Sequence, residues 1–403
     1  MDRIRIASVI ADLTFGGSEN RLLAFARAID KSRFEHLVIT LFRGEASQEL
    51  RGGSLRQIYR QSGVDLIDLG ENPTRRILPS LGPGDLINAG STLNRLSRKL
   101  CRVIRQRRID LIDAQHATAS LFGVLAGTLT RRPTTITEYF PGYYDRRGMR
   151  LLGRAVHARA EAFICDSKVQ SDVINKWLLR PHRRSVVIPN GIPVPPVTRT
   201  NAEMRHQLQI PAERSVRVVG QVSRLIQFKG QRVLLQAAKE VLSSYPDTYF
   251  VLTGYAAEDP AYVEVLRQDI RELGITERVR IVSWPGSIGD VWELIDIHVH
   301  ASVQDSLPIA ITEGMSFGKP AVVTDVGGVE EMVSHELTGL VVPMNDPRAL
   351  AAGIVRLLRD PQLAALLGAN AQQRYQQGYR PEVMARALEN LFVDIIERRC
   401  AHA

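Results

Sequence analysis

Two pairs of charged residues stand at spacings that suit a phosphorylated ligand. Arg224 and Lys229 lie five apart in VSRLIQFKGQ (222–231), between a Val-rich run and a helical pattern that begins near Gly230. A guanidinium forks two oxygens, an ammonium acts as a point charge, and a helix N-terminus adds partial positive charge, so the trio makes a pyrophosphate clamp. Asp305 and Glu313 flank the start of a second helical run in QDSLPIAITEGMSFGKP (304–320). Pro308 fits the first helical position, which leaves the amides of Leu307 and Ile309 open to a phosphate. Glu313, under two turns in, offers a carboxylate that can accept from two vicinal hydroxyls such as those of a ribose, and Asp305 can hold hydroxyls of another sugar. A third candidate is Gly16-Gly17 in TFGGSEN (14–20), where small residues let a ligand approach the backbone at a helix start. Each has a plain structural reading as well: two solvated cations, an N-cap aspartate with an exposed helix glutamate, and an ordinary strand–helix turn. On spacing alone those readings weigh at least as much.

The elements that would carry these residues follow a repeating pattern. Short Val/Ile-rich runs alternate with segments of helical period, the signature of parallel βαβ units. In the first half the strand candidates are IRIASVIA, HLVITLF, VDLIDL, DLIDAQ, TTITEY, AFICDS and SVVIPN; in the second they are SVRVVGQVS, TYFVLTG, RVRIVSW, DIHVHAS, PAVVTD and TGLVVPM. Between them GIPVPPVTRT (191–200) holds three prolines and reads as a linker. Beyond Asp346 only helical patterns remain. The expectation is an α/β chain of two Rossmann-like, doubly wound parallel sheets facing a cleft. Residues 1–195 form the first domain and 196–375 the second, and a final helix in 376–403 can cross back to the first. Such sheets take ligands at the carboxyl ends of their strands, so the chemistry belongs in the loops after strands.

Composition narrows the classes. With 44% hydrophobic and 24% charged residues, the 403-residue chain is globular and suits two domains. The opening MDRIRIASVIADLTFGG is broken by charges and reads as a first strand, not a secretion signal, and no run of about 20 apolar residues suggests a membrane span. Three cysteines without metal-ligand spacing fit a reducing cytoplasm. The net charge of +9 invites a nucleic-acid reading, but no aromatic interleaving accompanies the basic segments. The densest, RLSRKLCRVIRQRRID (95–110), places Leu96, Leu100, Val103 and Ile104 on one helical stripe with arginines around the rest. It reads as a surface helix packed on a sheet, with a weaker reading as a basic face for peripheral contact with an anionic membrane at its inner side. Neither glycine pattern is a nucleotide fingerprint of the common kinds. TFGGSEN lacks the Gly-x-Gly-x-x-Gly of NAD sites, and GMSFGKP lacks the phosphate-loop spacing and its Ser or Thr.

As an ordered set the motifs resemble the GT-B glycosyltransferases of family four, also called glycosyltransferase group one. The Gly-Gly-x-Glu loop matches Gly16 to Glu19, and a strand-end motif is similar to DLIDAQH with His116. The IPNG hinge appears at Ile188–Gly191, the Arg-x₄-Lys-Gly clamp at Arg224, Lys229 and Gly230, and the Glu-x₇-Glu element at Asp305 and Glu313. GKPAVVTDVGGVEE and TGLVVP complete the order. The likeness covers nearly the whole chain, and its motifs are strongest in the second half. Asp305 stands where the family usually has glutamate, one methylene shorter; Ser306-Leu307-Pro308 replaces the commoner Gly-Phe-Gly, and Ala301 a common proline.

The resemblance implies transfer of a sugar from a nucleoside diphosphate donor, a UDP- or GDP-sugar, to a hydroxyl acceptor with retention of configuration, with no metal and no cofactor. The absence of an Asp-x-Asp triplet agrees with the lack of a metal. By analogy Arg224 and Lys229 stabilise the departing diphosphate, with Leu307 and Ile309 at the helix start. Glu313 holds the ribose, Asp305 the transferred sugar, His116 lies near the reacting carbon, and Gly16-Gly17 border phosphate and acceptor. The acceptor class is a glycan, a lipid-linked glycan as in polysaccharide biosynthesis, or a natural product. The alternatives are a nucleotide-sugar epimerase on the same scaffold and a non-catalytic nucleotide-sugar-binding module; nucleic acid is not an expected partner.

Overall fold

The structure is a computed structural model that describes residues 3–13, 16–42, 55–71, 83–138, 153–156, 158–177, 184–213, 215–254 and 259–401. Thr14 and Phe15 of the first glycine loop lie outside these. The chain divides into two compact units, Met1–Gly191 with Pro381–Ala403, and Ile192–Arg380.

The first unit is built on seven strands: β1 (Ile4–Ile10), β2 (Phe34–Phe42), β3 (Asp65–Glu71), β4 (Leu111–Gln115), β5 (Thr134–Glu138), β6 (Ala162–Cys165) and β7 (Arg184–Val187). They form one parallel sheet in the order β3-β2-β1-β4-β5-β6-β7. The second sheet, of β8 (Arg217–Val222), β9 (Thr248–Thr253), β10 (Val279–Val282), β11 (Ile297–His300), β12 (Ala321–Thr324) and β13 (Leu340–Val342), is also parallel, in the order β10-β9-β8-β11-β12-β13. Every strand expected from the sequence is present. Their near-continuous apolar character follows from cover on both faces. On β1, Ile6 and Ile10 face one cluster with Phe25, while Ala7 and Val9 face another with Leu96, Leu100 and Phe122.

The helices include α1 (Gly17–Ala28), α2 (Leu55–Gln61), α3 (Pro83–Gln106), α4 (His116–Thr130), α5 (Lys168–Trp177), α6 (Asn201–Gln207), α7 (Gln231–Ser244), α8 (Pro260–Leu273), α9 (Ile288–Leu294), α10 (Ile309–Ser316), α11 (Val329–Met332), α12 (Pro347–Arg359), α13 (Pro361–Gly378) and α14 (Pro381–Ala401). Three of them start on an Asp-Pro pair. Asp259, Asp346 and Asp360 each accept from a backbone amide three residues on, and the proline after each sits where no amide is needed. The stripe on α3 is as expected: Leu96, Leu100 and Ile104 are buried against the sheet and Val103 packs beside them. The last helix, α14, folds with the first unit. Met384, Leu388 and Phe392 enter its core, Phe392 meets Phe25 edge to face at 6.2 Å, and Glu389 accepts from the Asp30 amide at 2.8 Å.

The proline-rich linker is fixed to the second unit by Asp290 of α9. This fully buried carboxylate accepts from the amides of Thr198 and Arg199 at 2.6 and 2.9 Å and from the Thr198 hydroxyl. Strand order reverses direction between β1 and β4 in the first sheet and between β8 and β11 in the second. Those two switch points are where doubly wound sheets open to ligands.

Candidate functional site

The loops after β8 and β11 leave the second sheet side by side at its switch point, and they carry four of the candidate donor residues. Their backbones lock together. Val303 donates to the Phe228 carbonyl at 2.9 Å, and a Cβ on Gly230 would lie 1.9 Å from the Ala301 carbonyl oxygen. Gly230 also holds φ at 69°, which favours glycine. The first loop is braced from inside. Gln221 donates to the Lys229 carbonyl at 2.6 Å, and Gln231 donates to the Arg224 carbonyl at 2.7 Å and accepts from the Tyr262 hydroxyl.

This bracing delivers Lys229 to Asp305, with Nζ 2.5 Å from Oδ2 and both side chains about 15% exposed. His300, at the end of β11 and 1% exposed, brings Nε2 to 3.2 Å from the same oxygen, outside hydrogen-bond alignment. Burial acts to raise the Asp305 carboxyl, but His300 and Lys229 outweigh it and hold it down at about 2. Gly327 and Gly328 close behind this carboxylate. Gly327 has φ 53° and no room for a Cβ against the Asp305 carbonyl, and Gly328 donates to Ser306 at 2.8 Å.

The helix start differs by one residue from expectation. Pro308 is the N-cap of α10, at φ −67° and ψ 123°, and Ile309 is the first helical residue. The cap carbonyl is still used, accepting from Ile311 at 3.1 Å, and no side chain caps the helix. The reason is steric: proline favours extended ψ as readily as helical, and the buried Leu307 and Pro308 follow the loop and not the helix. Leu307 is buried and Ile309 half-buried at this open N-terminus. Glu313 sits one turn further on, half-buried, and accepts from Trp292 Nε1 at 2.9 Å. Burial pushes its carboxyl up to about 7, with the indole donor opposing. Asp305 and Glu313 therefore differ in kind: one is a charged partner of a lysine, the other a carboxyl close to neutrality. Arg224 lies exposed at the mouth of the first loop.

In the first unit the equivalent switch point carries Gly16, Gly17 and His116. Gly16 caps α1, and a Cβ there would come within 2.5 Å of Glu19 Oε2, so glycine leaves space for a carboxylate folded back on its own helix start. Glu19 is 6% exposed and accepts from Ser18 Oγ at 2.8 Å. The first turn thus already holds a carboxyl of its own. Gly17 opens α1. His116 opens α4 at φ 65°, a conformation that costs a non-glycine residue about 1 kcal/mol or more. Burial lowers its imidazole to about 4, so it is neutral near pH 7.

Three residues outside the sequence reading belong to these surroundings. His300 and Trp292 place the two carboxylates of the second unit. On β4, Asp113 is fully buried and accepts from the Thr135 and Thr137 hydroxyls at 3.0 and 2.9 Å; burial raises its carboxyl against the pull of Arg21. An available signal was polarity out of place: His298 and His300 in DIHVHAS and Asp113 in DLIDAQ sit where a doubly covered strand should be apolar.

The chain matches the model of glycosyl transferases group 1 over residues 202–374 and that of glycosyltransferase family 4 over residues 15–194. It is 31% identical over 206 residues to a D-inositol 3-phosphate glycosyltransferase of Corynebacterium urealyticum, covering 49% of this chain and 47% of that protein. The chain therefore spans about half the length of that relative. A UDP-Gal:alpha-D-GlcNAc-diphosphoundecaprenol alpha-1,3-galactosyltransferase of Escherichia coli is 20% identical over 312 residues, 74% of this chain and 78% of its own. Among solved structures, a glycosyltransferase from Rickettsia africae superposes with a TM-score of 0.80 at 17% identity, covering 98% and 99% of the two chains. Anabaena HepE in complex with UDP and glucose does so with 0.77 at 21%, covering 97% and 100%. The fold is thus that of the GT-B glycosyltransferases. Two adjoining family matches leave only the ends and a short linker uncovered, and the chain belongs to the group 1, family 4 glycosyltransferases.

Proposed function

We propose that the chain is a retaining glycosyltransferase that moves a sugar from a nucleoside diphosphate donor to a hydroxyl acceptor without a metal. The observation that carries this reading is the second switch point, where Lys229, Asp305 and the uncapped start of α10 converge at the ends of β8 and β11. A diphosphate bears more charge than one carboxylate and draws Lys229 from Asp305, freeing Asp305 for the hydroxyls of the transferred sugar. Arg224 forks the same phosphates, the amides of Leu307 and Ile309 cover them, and Glu313 accepts from the ribose.

The difficult step is rupture of the anomeric C–O bond. Its electron pair goes to a phosphate oxygen of the leaving group while positive charge grows on the sugar ring. Fixed cations and a helix start aimed at those oxygens lower the barrier without reorganising during the step. The acceptor oxygen bonds to the anomeric carbon on the face the diphosphate leaves, and its proton passes to the departing phosphate. No enzyme nucleophile is required. Neutral His116 suits a hydrogen-bonding role beside the ring, and the Gly16-Gly17 loop is assigned to the acceptor side. The absence of an Asp-x-Asp triplet supports the metal-free reading. UDP is the first donor nucleotide to test, because HepE was solved with UDP and glucose. Two of the relatives, by name a diphosphoundecaprenol galactosyltransferase and a lipopolysaccharide core glycosyltransferase, support a glycan or lipid-linked acceptor, and those named for D-inositol 3-phosphate and L-malate support a small hydroxylated molecule.

Lys229→Ala and Glu313→Ala are each expected to lower transfer by about 100-fold or more, a loss typical of removing a transition-state charge or a donor anchor, with unchanged circular dichroism. A panel of UDP, GDP and their sugars in thermal-shift assays identifies the nucleotide, because a bound ligand stabilises by mass action. Near-normal turnover in either variant contradicts this assignment of the site.

A further inference from the structure

A surface groove of about 700 Å³ runs between α3 and α4 in the first unit, away from the strand ends that carry His116 and Gly16. Leu93 of α3 and Leu125 and Leu129 of α4 form its apolar walls, and Leu129 is 55% exposed. Arg98, Arg102 and Arg105 line the same groove at successive turns of one helix face, all exposed. Like charges at this spacing repel. Among the described residues no carboxylate pairs with any of the three, and Arg105 donates only to the Leu129 carbonyl, at 3.4 Å. In the groove Ser97 is 4% exposed and its Oγ has no hydrogen-bond partner.

A row of cations that no described carboxylate pairs, along an aliphatic trough, suits a ligand that is anionic at one end and apolar at the other. We propose that this groove docks the protein on a bilayer of anionic phospholipid. Headgroup phosphates meet Arg98, Arg102 and Arg105, and the glycerol and upper acyl region lies along Leu93, Leu125 and Leu129. Basic side chains at such a surface attract it individually, and an apolar contact adds to them. A single-stranded nucleic acid fits less well, because among the described residues no aromatic ring lines the groove for bases to stack on. The site uses none of the residues assigned to the donor, so it stands whether or not sugar transfer is the activity.

The test is sedimentation of the full-length protein with vesicles of phosphatidylcholine alone or mixed with phosphatidylglycerol, over a salt series. The wild type is expected to bind the mixed vesicles, to be released by salt, and to ignore phosphatidylcholine. The R98E/R102E variant, changed only at exposed positions and checked by thermal melting, is expected to lose about tenfold or more in partitioning for each reversed arginine. Leu129→Asp should weaken binding several-fold while Arg98 and Arg102 remain. R267E/R271E, the same charge change on α8 of the second unit, should bind like the wild type. Equal loss in R98E/R102E and R267E/R271E would reduce the effect to net charge and overturn the proposal. So would wild-type binding by R98E/R102E, undiminished binding by Leu129→Asp, or retention of a single-stranded RNA in place of vesicles.

Discussion

Glu313 is the residue where protonation and the proposed ribose contact meet. Its folded pKa, near 7, lies above the ordinary 4.5 because burial disfavours the charge. The neutral form is therefore the one the fold prefers: the associated stability is complete below about 4.5, declines as pH rises, and is gone above 7. A ribose needs the opposite form, since only the carboxylate accepts at both oxygens. Nucleotide affinity should rise between pH 6 and 8 with a midpoint near 7, and Glu313→Gln should flatten that profile while melting higher than wild type at pH 8. Calorimetric titration and melting at several pH values check both signs. His300 acts on the other carboxylate. In the proposed donor complex, where a diphosphate takes Lys229, the imidazole is the polar neighbour left to Asp305. His300→Phe should raise the KM for the sugar nucleotide about tenfold, a loss of the size expected for one charge-assisted contact, while the affinity for the nucleotide without its sugar stays the same.

At the scale of elements, the proposed donor site depends on two loops that touch through glycine. Gly230 and Gly274 have almost the same backbone, φ 69° and 70°, yet a Cβ on Gly274 meets nothing within 4 Å while one on Gly230 strikes the Ala301 carbonyl. Gly274→Ala should cost about 1 kcal/mol, the strain of a left-handed alanine, and Gly230→Ala clearly more, because the second loop must also move. Urea unfolding gives the difference, and nucleotide binding should fall only in Gly230→Ala. The elements themselves were legible. Strands covered on both faces are written as Val/Ile runs, and Asp259-Pro260, Asp346-Pro347 and Asp360-Pro361 spell helix starts. The start of α10 was misplaced by one residue because Pro308 is compatible with both N-cap and first-turn geometry, and the packing of Leu307 decides between them.

At the scale of the whole molecule, the final helix departs from sequence order. α14 follows the second unit along the chain but supplies Met384, Leu388 and Phe392 to the first. Burying a side chain of that size contributes about 2 kcal/mol, so truncation after Arg380 should sharply lower the first unit's resistance to urea. The second unit should keep its own unfolding midpoint and its nucleotide binding. Hydrogen exchange resolved by segment separates the two outcomes, and equal loss in both units contradicts this division.

By itself the sequence determined the class of fold and the thirteen strands, and it singled out residues whose chemistry suits a diphosphate, because these depend on local pattern and side-chain type. It could not determine which strands neighbour each other. Only the tertiary structure placed the loops after β8 and β11 together, so that Lys229 meets Asp305 from 76 positions away. The unequal protonation of Asp305 and Glu313 was likewise beyond its reach, since it comes from His300, Trp292 and burial, which are properties of the packed neighbourhood and not of the chain.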